Sequence, residues 1–177
     1  MAESDDFFLD DFFKEKKKKI NSKKKGNRVE LQLTKILTDR FNQPFSRSVG
    51  SGNRWGQVTN MPTHAKETLT GDICPPAAFS WVIECKGGYE DLIDLNGVLD
   101  GGCATLDDFI EQSERDAVQS GRLPIIIWKR SRKPWLSMVK QENLPQNDYP
   151  YLLKYRNWYI LPLQSLLEQP DSYWFKT

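Results

Sequence analysis

Residues 79–86 read Phe-Ser-Trp-Val-Ile-Glu-Cys-Lys, and no other stretch restricts the fold of this chain as tightly. The run is short, rich in β-branched and aromatic residues, and alternates with a period of two, which makes it a strand. The alternation sends Trp81, Ile83 and Cys85 to one face and Val82, Glu84 and Lys86 to the other. A glutamate and a lysine leaving an apolar strand on the same side are costly in a closed core, so that face should line a cleft.

The flanking pattern predicts an α/β domain. Val29, Leu33, Ile36, Leu37 and Phe41 recur at helical spacing, which gives a helix over 27–42 that Pro44 stops. Residues 45–49 form a short strand, broken at Gly50-Ser51-Gly52, and 53–69 are a long loop. A strand over 70–74 turns at Pro75-Pro76 into the 79–86 strand, and the glycine-rich 87–104 is irregular. Thr105-Leu106-Asp107-Asp108 reads as a capping box opening a helix to about Ser120, which Gly121 ends. Residues 124–129 are a buried strand, 135–139 another, 158–161 an edge strand and 163–169 a terminal helix. This order gives a central mixed β-sheet flanked by helices.

Composition narrows the chemistry. The 177 residues suit one domain with a tail, and no apolar run approaches a membrane span of ~18 residues. The acidic N-terminus is not a secretory signal. Cys74, Cys85 and Cys103 are odd in number and lack close pairing, and His64 is the single histidine, so a Cys/His zinc site and histidine catalysis are poor fits. The expectation is a reduced, intracellular protein, in the cytoplasm or at the nucleoid. Hydrolysis here would rest on carboxylates, lysine and a hard cation. Net charge is only +1, but residues 1–13 carry five acids and no base, whereas 14–28 carry nine bases and one acid. Residues 1–25 therefore read as an acidic-aromatic tip on a mobile lysine-rich arm, and 26–177 as one domain. Lys23, Lys24, Lys25 and Arg28 could track phosphates, or the stretch could be a solvated tail.

Asp72 precedes Glu84 by twelve residues, and an antiparallel pairing of their strands would bring the two carboxylates together. Two carboxylates and a lysine at one point suit Mg²⁺, with Mn²⁺ able to substitute; such a cation keeps several waters and polarises a phosphodiester. The alternative is a cross-strand ion pair of Asp72 with Lys86 at a solvated sheet edge.

Asp72…Glu84-Cys85-Lys86 resembles the core of the PD-(D/E)XK nucleases, with Gly71 where the family often has proline. Within that superfamily the chain most resembles the archaeal-type Holliday-junction resolvases. The likeness rests on Gly26 with Glu30 four residues on, on Arg47-Ser48-Val49-Gly50-Ser51-Gly52, on Gln112, and on Pro124-Ile125-Ile126-Ile127. It covers about residues 24–130, with the motifs in the right order. It implies a restriction-endonuclease-like core and a Mg²⁺-dependent endodeoxyribonuclease acting on four-way or branched DNA as a homodimer. It further implies that Glu30, Asp72 and Glu84, with the Cys85 backbone carbonyl, bind the metal. Lys86 would serve the attacking water, Gln112 would support the site, and Arg47 and Ser51 would contact the scissile strand. Ser48 beside them and Arg54 are further candidates for DNA contact, although the stretch that carries Arg54 could instead form a lid. Trp128, Trp135 and Trp158 are candidates for the dimer interface. Leu31 departs from the arginine the family often places there, and the stretch from Gly52 to Asp72 is longer than the family's. Two other functions fit the same residues: a restriction or repair endonuclease of the superfamily, and a non-catalytic DNA-binding adaptor. At the tip, Leu9 followed by Phe12 and Phe13 is similar to sliding-clamp-binding peptides, with Asp6 where a glutamine is usual. The alternative is a tail that packs on its own domain.

Overall fold

The computed structural model describes residues 22–48, 69–89, 91–146 and 149–176. Helix α1 (Ser22–Phe41) buries Val29, Leu33, Leu37 and Phe41, the stripe expected from their spacing. It begins five residues before residue 27, so Lys23, Lys24 and Lys25 belong to its first turn and the boundary expected at 26 falls inside a helix.

Two strands of two residues follow. β1 (Ser46–Arg47) pairs antiparallel with β2 (Ile73–Cys74). The Asp72 segment therefore forms its ladder with β1 and not with the 79–86 strand. That strand, β3 (Trp81–Gly87), runs parallel to β4 (Leu123–Lys129). β5 (Trp135–Lys140), β6 (Leu153–Tyr155) and β7 (Trp158–Pro162) complete a five-stranded sheet in the order β3-β4-β5-β7-β6. β7, expected at an edge, is interior; the edge is β6, three residues long.

Between β3 and β4 lie two helices. The stretch expected to be irregular contains α2 (Leu95–Leu99), which Asp94 caps by accepting from Gly97 N at 2.9 Å. α3 (Ala104–Ser120) carries the chain back for the parallel strand, and Gly121 closes it at φ 64. The expected capping box does not form: the N-cap is Cys103, without a side-chain bond. Asp107 instead accepts from the Tyr155 hydroxyl and from Arg156, each at 2.8 Å. α4 (Leu163–Leu167) and α5 (Asp171–Trp174) end the described chain.

The sheet separates two cores. On one side α1 packs with Trp81, Ile83, Cys85, Ile125 and Ile127; on the other α3 packs with Ile126, Trp128, Met138 and Trp158. Trp128 and Trp158 are thus interior residues and do not supply the apolar surface expected at a subunit interface, while Trp135 is partly buried against the core. Gly87 lets α1 cross β3 closely, since a Cβ there would stand 2.8 Å from Val29 Cγ2. That crossing brings Glu30, the residue after Val29, to the end of β3. Among the described residues no helix is long and apolar enough to cross a membrane.

Candidate active site

β3 is the edge strand of the large sheet, and its polar face meets α3. Lys86 Nζ donates to Glu84 Oε1 at 2.5 Å and to Gln112 Oε1 on α3 at 2.7 Å. It also lies over the Phe109 ring, 5.0 Å from the centroid. The lysine is therefore held from the strand and from the helix at once.

Asp72 is fixed from three sides. Its N–H donates to Ile83 O at 3.0 Å, its carbonyl accepts from Ser48 N at 2.9 Å, and its Oδ2 accepts from Cys85 N at 2.9 Å. The chain enters Asp72 through Gly71 at φ +83, a value proline cannot adopt. The glycine that replaces the family's proline is required by this backbone path. Cys85 sends its N–H toward Asp72, and in an extended strand its carbonyl leaves on the same side. That carbonyl therefore points away from β4 and toward the carboxylates. Burial pushes the Cys85 thiol well up, with further push from Asp72, and the side chain packs in the core on the α1 side of the sheet.

Among the described residues, the ammonium bonded to this carboxylate pair is Lys86. Burial raises the Asp72 carboxyl despite the Cys85 N–H. Burial, then the neighbouring Asp72 charge, raises Glu84 well above the usual range, although Lys86 opposes this. Glu84 Oε2 is buried without a hydrogen-bond partner. A buried carboxylate oxygen without a hydrogen-bond partner among the described residues, beside a second carboxylate and a strand carbonyl, fits a hard divalent cation.

Glu30 is buried beside this pair, close enough to oppose ionisation of Asp72. Its Oε2 accepts from Arg47 Nε at 2.6 Å, and Arg47 Nη2 also donates to Asn27 Oδ1 at 2.9 Å. Among the described residues no three His, Cys, Asp or Glu side chains come together as a metal cage. Glu30, Asp72 and Glu84 thus do not converge on one point. Ser48 is buried, with its hydroxyl 3.5 Å from Cys74 Sγ, and forms part of the scaffold under Asp72. Arg28 is exposed on α1. Ser51, Arg54 and the tip residues Leu9, Phe12 and Phe13 lie outside the described residues.

Over residues 21–160 the chain matches a family model described as "Phage putative PDDEXK endonuclease". The chain belongs to this endonuclease family. A relative from Escherichia phage T5, Protein D14, is 32% identical over 121 residues, which span 66% of this chain and 69% of that protein. Among solved structures, Hjc of Archaeoglobus fulgidus, a Holliday junction resolvase, aligns with 79% of this chain and 90% of its own at 17% identity and a TM-score of 0.39. PDDEXK nucleases generally use divalent metals, which agrees with the donor set around Glu84.

One buried acid near this cluster is not singled out by the sequence. Asp116 is buried on α3, one turn after Gln112. The Gln112–Lys86 bond pins α3 on β3, and α3 runs opposite to the strand, so the next turn falls beside Glu84. Burial pushes the Asp116 carboxyl up to about 6, with Arg115 pulling against it and Asp72 adding to it. Its spacing from Phe109, Gln112 and Ser113 was the available signal.

Proposed function

We propose that the protein is a Mg²⁺-dependent endonuclease that hydrolyses phosphodiester bonds of DNA at branched structures, four-way junctions among them. The observation that carries this reading is the buried, donor-less Glu84 Oε2 beside Asp72, under a lysine fixed by Gln112. Asp72, Glu84 and the Cys85 carbonyl would hold the cation, with Glu30 behind them. When bound, it would supply Lewis-acid polarisation of the phosphodiester and lower the pKa of a water.

The chain's own residues do the rest. Lys86 has three donors, and two are taken by Glu84 and Gln112 among the described residues. The third is left for a phosphate oxygen, where the ammonium opposes charge that builds as water adds to phosphorus and the P–O bond breaks. Gln112 is a positioning residue: it accepts from Lys86 and keeps the ammonium directed across the strand. Arg47 holds Glu30 and lies within reach of the same cleft. Paired incisions across a junction call for a two-fold dimer. The tip around Leu9, Phe12 and Phe13 suits a sliding clamp or another replication partner.

The test is a nicking assay on a four-way junction, a flap, linear duplex and single strand, with and without Mg²⁺, for the wild type and Asp72→Asn. Mg²⁺-dependent cutting of the junction, lost in Asp72→Asn while DNA binding survives, is the expected result. Undiminished cutting by Asp72→Asn removes the site; cutting of duplex in preference to the junction removes the branched substrate.

A further inference from the structure

Tyr89 stands three residues beyond Lys86, in a conformation its side chain disfavours. Its φ is +65, directly after Gly88 at +94. Bulky residues rarely occupy the left-handed region, and a glycine would do so without strain. Asn42, Arg132 and Arg156 share the feature, of which only Asn is a residue type that tolerates it readily. Strain of this kind persists where the surroundings impose it.

Here they do. Gly88 N donates to Lys129 O at 2.9 Å, and Trp128 Nε1 donates to Gly88 O at 2.6 Å, so β4 clamps the residue before Tyr89. Leu92 N then donates to Tyr89 O at 3.0 Å and closes the turn. The Tyr89 ring meets Phe109 edge-to-face, centroids 4.9 Å apart at 85°. Such a contact covers at most one face of the tyrosine, and the residue is 41% exposed. Phe109 is the same ring that carries Lys86 at 5.0 Å. The exposed aromatic therefore sits within about 10 Å of the ammonium, at most about three nucleotides along a stacked strand at about 3.4 Å each.

We propose that Tyr89 is a stacking platform for an unpaired nucleobase of the strand being cut. The inference rests on the reading of Lys86 as the contact to the scissile phosphate. A ring held rigid before binding loses little entropy when a base settles on it, and every base has a face to offer. The platform thus favours DNA whose bases are splayed at a branch, without preference for their identity.

The test compares Tyr89→Phe, Tyr89→Ala and Tyr89→Gly on the four-way junction. Tyr89→Gly removes the ring and the backbone strain together, so lost folding does not account for its effect. Stacking is worth roughly 1–3 kcal/mol per base, or about 5- to 150-fold. The Ala and Gly variants should raise KM by such a factor with a smaller change in kcat, and Tyr89→Phe should keep wild-type KM. In the Asp72→Asn background, 2-aminopurine at successive nucleotides flanking the mapped cut should be quenched at one position, and that quenching should vanish with Tyr89→Gly. If the wild type cuts the junction but Tyr89→Gly does so with unchanged KM, or no position is quenched, the platform is refuted and the nuclease stands. A folded wild type that cuts no DNA overturns both.

Discussion

Asp116→Asn changes one atom of a buried carboxylate and should stabilise the protein at neutral pH. The Asp116 carboxyl ionises near 6 in the fold against 3.8 as an ordinary aspartate. Holding it charged costs up to about 3 kcal/mol at 1.36 kcal/mol per pKa unit. Water reaching the cleft screens part of that, so about 1–2 kcal/mol is the expected gain. For a chain of this size it raises Tm by roughly 2–8 °C. The sign follows from proton binding. Below about pH 4 the group is protonated both folded and unfolded, and the substitution gains nothing. As pH rises toward 6 the unfolded chain releases this proton while the fold retains it, so wild-type stability falls; the penalty is complete above 6. Urea unfolding of both proteins from pH 4 to 7.5 should therefore give curves that meet at the acid end and separate above it. Because the Asp116 charge also raises Glu84, the acid limb of the cleavage pH profile should move to lower pH in the variant. A gain of equal size at pH 4 and 7.5, or a loss at 7.5, refutes the argument.

Two further outcomes follow from the geometry around β3. Lys86→Ala should lower kcat by about 10²–10³-fold with DNA binding nearly intact, and Gln112→Ala, which only releases the lysine, should lower it less; single-turnover rates at saturating DNA give both. Gly71→Pro writes the family's usual dipeptide into the sequence, yet φ +83 excludes proline, so it should destabilise by on the order of 2–3 kcal/mol and displace Asp72, measured by urea unfolding and nicking.

Residues whose neighbours in sequence decide their placement were legible. The alternation of 79–86 placed Trp81, Ile83 and Cys85 inward and Glu84 with Lys86 in the cleft, as the two cores show. The α1 stripe set Glu30 at its edge, and Gly121 ended α3. What failed depended on distant partners. Thr105–Asp108 satisfies the capping-box pattern, but Tyr155 and Arg156, far along the chain, take the Asp107 carboxylate. Trp158 reads as an edge residue until β6 covers it, and three residues carry too little period to announce a strand. Asp72 was brought to Glu84 for a partly wrong reason: one backbone bond to Ile83 and one side-chain bond to Cys85 do what a ladder was expected to do.

The same distinction explains why the site's charge could not be balanced from sequence. Glu-x-Lys on one strand face suggests a neutral pair, one carboxylate for one ammonium. The fold adds Asp72 across the strand edge and Asp116 from the helix, while Arg47 bonds Glu30 and Arg115 lowers Asp116. Lys86 is left facing two buried carboxylates, and it bonds one oxygen of one of them. Water would normally screen the excess, but burial is the largest contribution raising both acids, so water is what this pair lacks. A buried carboxylate that a lysine cannot neutralise must either keep a proton or gain a cation. A proton would satisfy Glu84 Oε2 in a resting protein, whereas a divalent ion would neutralise both acids at once. Such an arrangement weakens the fold when empty of positive charge, and sites built for chemistry are where that weakness is expected.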